Sequence, residues 1–160
     1  MTDQVLVEVI KELKHLRYLN LYALSYLKCD FLKFMAEFTN ETQLEFLDLC
    51  GNQLIDDDIF ILFENSNSLQ NLNYLNLSWC VNVTDKSFDI LSKKLNKLQL
   101  LSLHGLLGIT DRTIDHLSFN LGIFKSLITL DINGCKNIIN RDETYLKSKF
   151  QNIKCFKYHF

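Results

Sequence analysis

The pattern Leu-x-x-Leu-x-Leu returns five times along this 160-residue chain, and its spacing constrains the architecture more than any other feature. It occurs at Leu16, Leu19 and Leu21, at Leu44, Leu47 and Leu49, at Leu72, Leu75 and Leu77, at Leu98, Leu101 and Leu103, and at Leu127, Leu130 and Ile132. Successive starts lie 28, 28, 26 and 29 residues apart, and a degenerate sixth copy, Ile153, Phe156 and Tyr158, follows after 26 more. Apolar residues two positions apart line one face of a strand. The register continues beyond the strand. Eleven residues after each first leucine stands an aliphatic: Leu27, Ile55, Val83, Ile109 or Ile138. Thirteen residues after it stands Cys29, Asp57, Asp85, Asp111 or Asn140, and the last four suit a helix N-cap. Sixteen and nineteen residues after, apolar pairs return as Leu32 and Met35, Phe60 and Phe63, Phe88 and Leu91, Ile114 and Leu117. The last repeat keeps only Leu146, with Glu143 at the other place. A three-residue apolar spacing after a cap is the buried stripe of a short helix.

Each unit therefore reads as strand, turn, capped helix and return loop. One unit alone cannot bury both its strand leucines and its helix stripe, but stacked neighbours can. The expected fold is an α/β solenoid, an arc with a parallel sheet on its concave side and helices on its convex side. The expected organisation is one domain over residues 1–160, with repeats starting near 16, 44, 72, 98 and 127. The spacing of Val5 or Leu6, Val9 or Ile10, and Leu13 predicts an N-terminal cap helix within residues 1–15, laid over the open edge of the first strand. Residues 153–160 are expected to form a closing strand. Both ends fit either caps or the junctions of a longer array or complex.

Composition narrows the function classes. Apolar residues make up 48% and charged residues 22%, a balance that supports a buried core. The net charge of -2 gives no sign of a nucleic-acid or anionic-membrane partner. No apolar run approaches the roughly 20 residues of a membrane span. Residues 1–10 carry Asp3 and Glu8 and no arginine, unlike a secretory or transit signal, so the expected compartment is the cytoplasm, or the nucleus. The five cysteines are an odd number and none lies closer than 20 positions to the next, which argues against a disulfide framework and close-paired zinc ligands.

The segment Leu72-Asn73-Tyr74-Leu75-Asn76-Leu77-Ser78-Trp79-Cys80-Val81-Asn82-Val83-Thr84-Asp85 resembles the cysteine-containing subclass of leucine-rich repeats. Ile109-Thr110-Asp111 and Gly134-Cys135-Lys136-Asn137-Ile138 repeat parts of it. The subclass cysteine falls at Cys80 and Cys135; Asn52 replaces it in the second repeat, and Leu24 and Leu106 elsewhere. The resemblance covers roughly residues 13–146. It implies a leucine-rich-repeat solenoid and a scaffold or adaptor role like that of F-box and antagonist-of-mitotic-exit-network proteins, whose arrays hold a substrate or regulator. Residues 1–15 are too short for an F-box. Similar repeats in ciliary and mitochondrial assembly subunits imply an alternative, a structural subunit of a large complex.

The alternation of strand side chains places the third, fifth and seventh motif positions on the concave face. Tyr18, Phe46 and Tyr74 then form an aromatic run on adjacent strands, flanked by Tyr22 and Trp79. Aromatics in a groove are frequent anchors of binding, although stacked rings also stabilise a sheet by themselves. Beside them runs a column of Asn20, Asp48 and Asn76, able to accept hydrogen bonds from a peptide or a basic side chain. The expected partner is another protein, bound by a monomer or by a subunit of a hetero-complex, with no nucleic acid, no membrane insertion and no cofactor.

Catalysis is not expected. Cys50 and His104 fall at seventh positions two strands apart, about 9–10 Å by strand spacing and too far to share a proton. His104 and Asp131 fall on adjacent strands without a nucleophile. Asp56-Asp57-Asp58 lacks the spacing of a calcium loop, and Asp57 is expected to be a cap. Lys93, Lys94 and Lys97 suit a solvated helix C-terminus.

Overall fold

The computed structural model describes residues 2–13, 15–24, 26–38 and 43–157, leaving aside the side chains of Phe38 and Phe156. Among these residues six three-residue strands succeed one another: β1 (Tyr18–Asn20), β2 (Phe46–Asp48), β3 (Tyr74–Asn76), β4 (Leu100–Ser102), β5 (Thr129–Asp131) and β6 (Cys155–Lys157). They pair in chain order as one parallel sheet. The register puts Tyr18, Phe46, Tyr74, Leu100, Thr129 and Cys155 in a single row, as the repeat spacing requires. Between the strands run α2 (Asp30–Phe38), α3 (Asp57–Ile61), α4 (Asp85–Lys94), α5 (Asp111–Phe119), α6 (Leu121–Ser126) and α7 (Glu143–Lys149), preceded by α1 (Asp3–Glu12). The architecture is a leucine-rich-repeat solenoid. The expected closing strand is described as far as residue 157, and Tyr158, His159 and Phe160 lie outside the described residues.

The leucine positions fill the space between the layers. Leu47, Leu49, Leu75, Leu77, Leu101, Leu103, Leu130 and Ile132 are all buried, as are the helix pairs from Leu32 and Met35 to Ile114 and Leu117. Each such side chain contributes about 1.5–3 kcal/mol by leaving water. The short third helix tightens into a 3-10 turn at Leu62–Asn65, and the 29-residue fourth repeat uses its extra length for α6.

Two expectations are corrected. The aspartates thirteen residues into the repeat are not the caps. Asp56, Thr84 and Thr110 cap α3, α4 and α5, each accepting a hydrogen bond from a first-turn N–H. Asp57, Asp85 and Asp111 are the first helical residues, and their carboxylates reach into the next repeat. Asp57 accepts from the Thr84 N–H at 2.9 Å, the Thr84 hydroxyl at 2.7 Å and the Ser87 hydroxyl at 2.5 Å. Asp85 accepts in the same way from Thr110 and Thr113. Asp111 accepts from the Ile139 and Asn140 N–H groups and the Asn140 amide, so Asn140 is a donor to its neighbour while Asp142 caps α7. Cys29 starts α2 through its carbonyl, at a left-handed φ of 66°.

The second correction concerns α1. It packs against α2 in the helix layer, with Leu6 and Ile10 buried, and β1 remains the edge strand of the sheet. Asp3 accepts hydrogen bonds from the Lys28 and Asp30 N–H groups, the cross-repeat role of Asp57. So α1 stands beside α2 as one repeat helix stands beside the next. No helix among the described residues is long and apolar enough to cross a membrane.

Candidate functional site

The concave face takes its geometry from the strand register. Phe46 and Tyr74 on β2 and β3 stack with ring centroids 4.0 Å apart and planes 14° apart. Tyr18 on β1 continues the row at 5.9 Å from Phe46, tilted by 31°. Offset ring pairs of this kind add about 0.5–1.5 kcal/mol beyond their buried area. The row is graded in exposure. Phe46 and Tyr74 are half-buried, whereas Tyr18 and Tyr22 are 65% and 62% exposed. The ring surface offered to a partner is therefore concentrated on β1 and the turn that follows it. Arg17 frames it, its guanidinium 6.0 Å from the Tyr18 ring and joined to Glu45 by two 2.8 Å hydrogen bonds. Those bonds, and the attraction of the two charges, hold the Glu45 carboxyl below its ordinary range.

The fifth-position column has a different role from the one expected. Asn20, Asp48, Asn76 and Asp131 each turn a side-chain oxygen back to the N–H two residues on, at 2.9–3.1 Å. Such turns end β1, β2, β3 and β5 and turn the chain toward the helix. Asp48 is buried, at 7% exposure, which removes it from the partner-facing surface. The seventh positions Cys50 and Ser78 are also buried, so the floor between Tyr22 and Trp79 is closed.

Trp79 occupies the eighth position, where the other repeats carry Ala23, Gly51, Gly105 and Gly134. All five adopt left-handed backbone, Trp79 with φ 62°. A non-glycine residue there costs about 1–2 kcal/mol. The ring lies over Gly105, where an added Cβ would sit 2.9 Å from the indole, and its centroid is 5.2 Å from that of His104. Trp79 thus leans toward the fourth repeat, away from the Tyr18 row, and stays 53% exposed.

A second depression was missed from the sequence. Gln43, Glu45, Asn71, Asn73, Lys97 and Gln99 line a hollow of about 440 Å³ at the strand-entry rim. The available signal was the polar residue on either side of the first leucine in three consecutive repeats. Among the described residues no group of three or more His, Cys, Asp or Glu side chains is arranged to hold a metal ion. Burial pushes the thiols of Cys29 and Cys80 up to about 12 and that of Cys135 to about 11.

No family model matches the chain. Among solved structures, a chain from the crystal structure of the Rad7 and Elc1 complex in yeast is similar in fold, with a TM-score of 0.56 and 18% identity. The alignment covers 97% of this chain and 46% of that one, so this chain spans about half its length.

Proposed function

We propose that this chain is a non-catalytic scaffold that captures another protein on the concave face of its first three repeats. The observation that carries the reading is the pair Tyr18 and Tyr22, 65% and 62% exposed on β1 and the turn after it, beside the stacked Phe46 and Tyr74. Large apolar rings left in water at the end of a rigid platform are the groups whose burial rewards association most. Asn20 stands between them, and the half-buried Asn76 and the exposed rim residue Trp79 extend the surface. The absence of catalysis is supported by the chemistry available. The buried thiols are held protonated, and the concave carboxylates are engaged by their own backbone. The similarity to a chain crystallised as part of a two-protein complex agrees with partner capture.

The finer reading is that the array belongs to the cysteine-containing subclass and presents a regulator or substrate to ubiquitin-linked machinery. Its support is the match of Leu72–Asp85 to the subclass pattern and the structural use of Cys80 and Cys135, described below.

Tyr18→Ala combined with Tyr22→Ala tests the site. Both rings are exposed and only the tilted Tyr18–Phe46 contact is lost, so the fold should weaken by no more than about 1.5 kcal/mol in the thermal melt. Quantitative affinity purification should show the principal partner reduced at least about tenfold, as expected when two anchors are removed. Recovery of the same partner in the same amount would sink the proposal.

A further inference from the structure

The sequence-wide charge of -2 hides a strongly basic, apolar-tipped rim at the other end of the solenoid. Residues 90–110, 116–130 and 144–160 contain no Asp or Glu. The helix-to-strand loops of the third, fourth and fifth repeats fall within these stretches and lie side by side. The Asn120 amide donates to Asn96 Oδ1 at 3.1 Å, and the Ser126 hydroxyl to the Leu98 carbonyl at 2.7 Å. The Asn152 amide donates to the Lys125 carbonyl at 2.7 Å, and the Gln151 N–H to the Phe124 carbonyl at 2.9 Å. The close approach extends to the backbone: a Cβ on Gly122 would stand 2.6 Å from the Asn96 carbonyl oxygen.

These contacts bring Lys93, Lys94, Lys97, Lys125, Lys149 and Lys154 to one rim. Lys149 pairs with Asp115 at 2.6 Å, and Lys97 donates to Asn71. Lys93, Lys94, Lys125 and Lys154 form no ion pair among the described residues. Glu45, whose charge Lys97 feels across the strand entry, is already engaged by Arg17. Cations at helix C-termini account for Lys93, Lys94 and Lys125 as local stabilisers. They do not account for Phe119 and Leu121. These flank the α5–α6 turn in the middle repeat of the three and are 81% and 72% exposed, the first and third most exposed large apolar side chains of the described chain.

We propose that this rim is a peripheral docking surface for an anionic phospholipid bilayer, with Phe119 and Leu121 entering the interface and the lysines meeting the headgroups. Charge complementarity selects an anionic occupant, and shape selects a bilayer. Two apolar side chains projecting from a turn need a matching pocket in a protein partner, whereas a lipid interface accommodates a projecting knob directly. Lysine stems lie along the apolar boundary with their ammonium groups in the headgroup layer. Each lysine near an anionic leaflet raises partitioning roughly fivefold. Nucleic acid is disfavoured because, among the described residues, Phe119 is the one exposed aromatic ring of these loops, too few for successive bases to stack on.

Sedimentation of the purified chain with vesicles tests the proposal. Binding is expected to vesicles containing about one-third phosphatidylserine, not to phosphatidylcholine alone, and to weaken with salt. Phe119→Ser with Leu121→Ser, both exposed and without cost to the fold, should lower partitioning at least about tenfold. Lys93→Glu with Lys125→Glu should do the same, while Tyr18→Ala with Tyr22→Ala should bind like the parent. Three results overturn the proposal: no binding to the anionic vesicles, binding indifferent to the Phe119 and Leu121 pair, or a Phe119-dependent complex with polyglutamate or an oligonucleotide that forms where vesicle binding does not.

Discussion

Asn52 shows how a single position ties one repeat to the previous one. Its amide donates to the Leu21 carbonyl at 2.9 Å and the Leu49 carbonyl at 2.7 Å. The same motif position in later repeats carries Cys80 and Cys135, whose thiols donate to Leu49 at 3.1 Å and Leu103 at 3.0 Å. Amide and thiol thus do one job, supplying a buried donor to the sixth-position carbonyl of the preceding repeat. The presence of Asn52 where two later repeats carry cysteine becomes intelligible as an exchange of donors. The amide brings a cost the thiol avoids, because Asn52 Oδ1 is buried with no partner among the described residues. Asn52→Ala should destabilise the chain by about 1–3 kcal/mol in urea unfolding, since two buried carbonyls lose a donor. Asn52→Cys should cost clearly less. Equal losses for the two variants would mean that the thiol cannot take over the donor role of the amide at this site.

At the scale of the helix, the first-turn aspartates join units that lie beside one another. Burial of Asp57 and Asp85 by itself pushes their carboxyls up, but hydrogen bonds from Ser87 and Thr84, and from Thr113 and Thr110, together outweigh it. Both carboxyls end below their ordinary range. The folded state therefore binds protons less readily than the unfolded chain. The stability these groups provide is fully present above the unfolded value, about 3.9, and is lost as pH falls through the lower folded value. Asp85→Asn should destabilise by about 1.5–3 kcal/mol at neutral pH, as expected for hydrogen bonds to a charged acceptor. The gap between variant and parent should close as denaturation is repeated below about pH 4. A gap independent of pH would show that the carboxylate charge contributes nothing.

The whole solenoid is coupled by nearest neighbours, so damage at one end should stay near that end. At the N-terminal end α1 supplies Asp3 to the Lys28–Asp30 loop and buries Leu6 and Ile10 against α2. Removing residues 2–13 should cost about 3–6 kcal/mol from those two side chains alone. Amide-exchange protection should fall at β1 and α2 and remain near parental at β4 and β5. Uniform loss across all strands would indicate a single cooperative block instead. The same linear arrangement lets the two ends carry different surfaces, exposed tyrosines at β1 and lysines with Phe119 and Leu121 near the last repeats.

What the sequence determined by itself was everything that depends on period. A strand alternates every two residues and the repeat returns every 26 to 29, so the buried leucines, the parallel register and the row Tyr18, Phe46 and Tyr74 follow from counting along the chain. What only the tertiary structure decided was the partner of each polar side chain one repeat away. Asp57 was legible as a helix-start residue, but its bonds go to Thr84 and Ser87, 27 and 30 positions on. Asp48 was legible as facing the groove, yet its own turn and the packing around it bury it. Trp79 was legible as a rim aromatic, and the empty side of Gly105 sets where its ring lies. The lysines of three loops stand tens of residues apart in the chain and share a rim only because stacked units carry the loops to the same side. Periodicity fixes which side a residue faces. Hydrogen-bond direction and close contact between neighbouring repeats fix what it touches, and those belong to the folded stack.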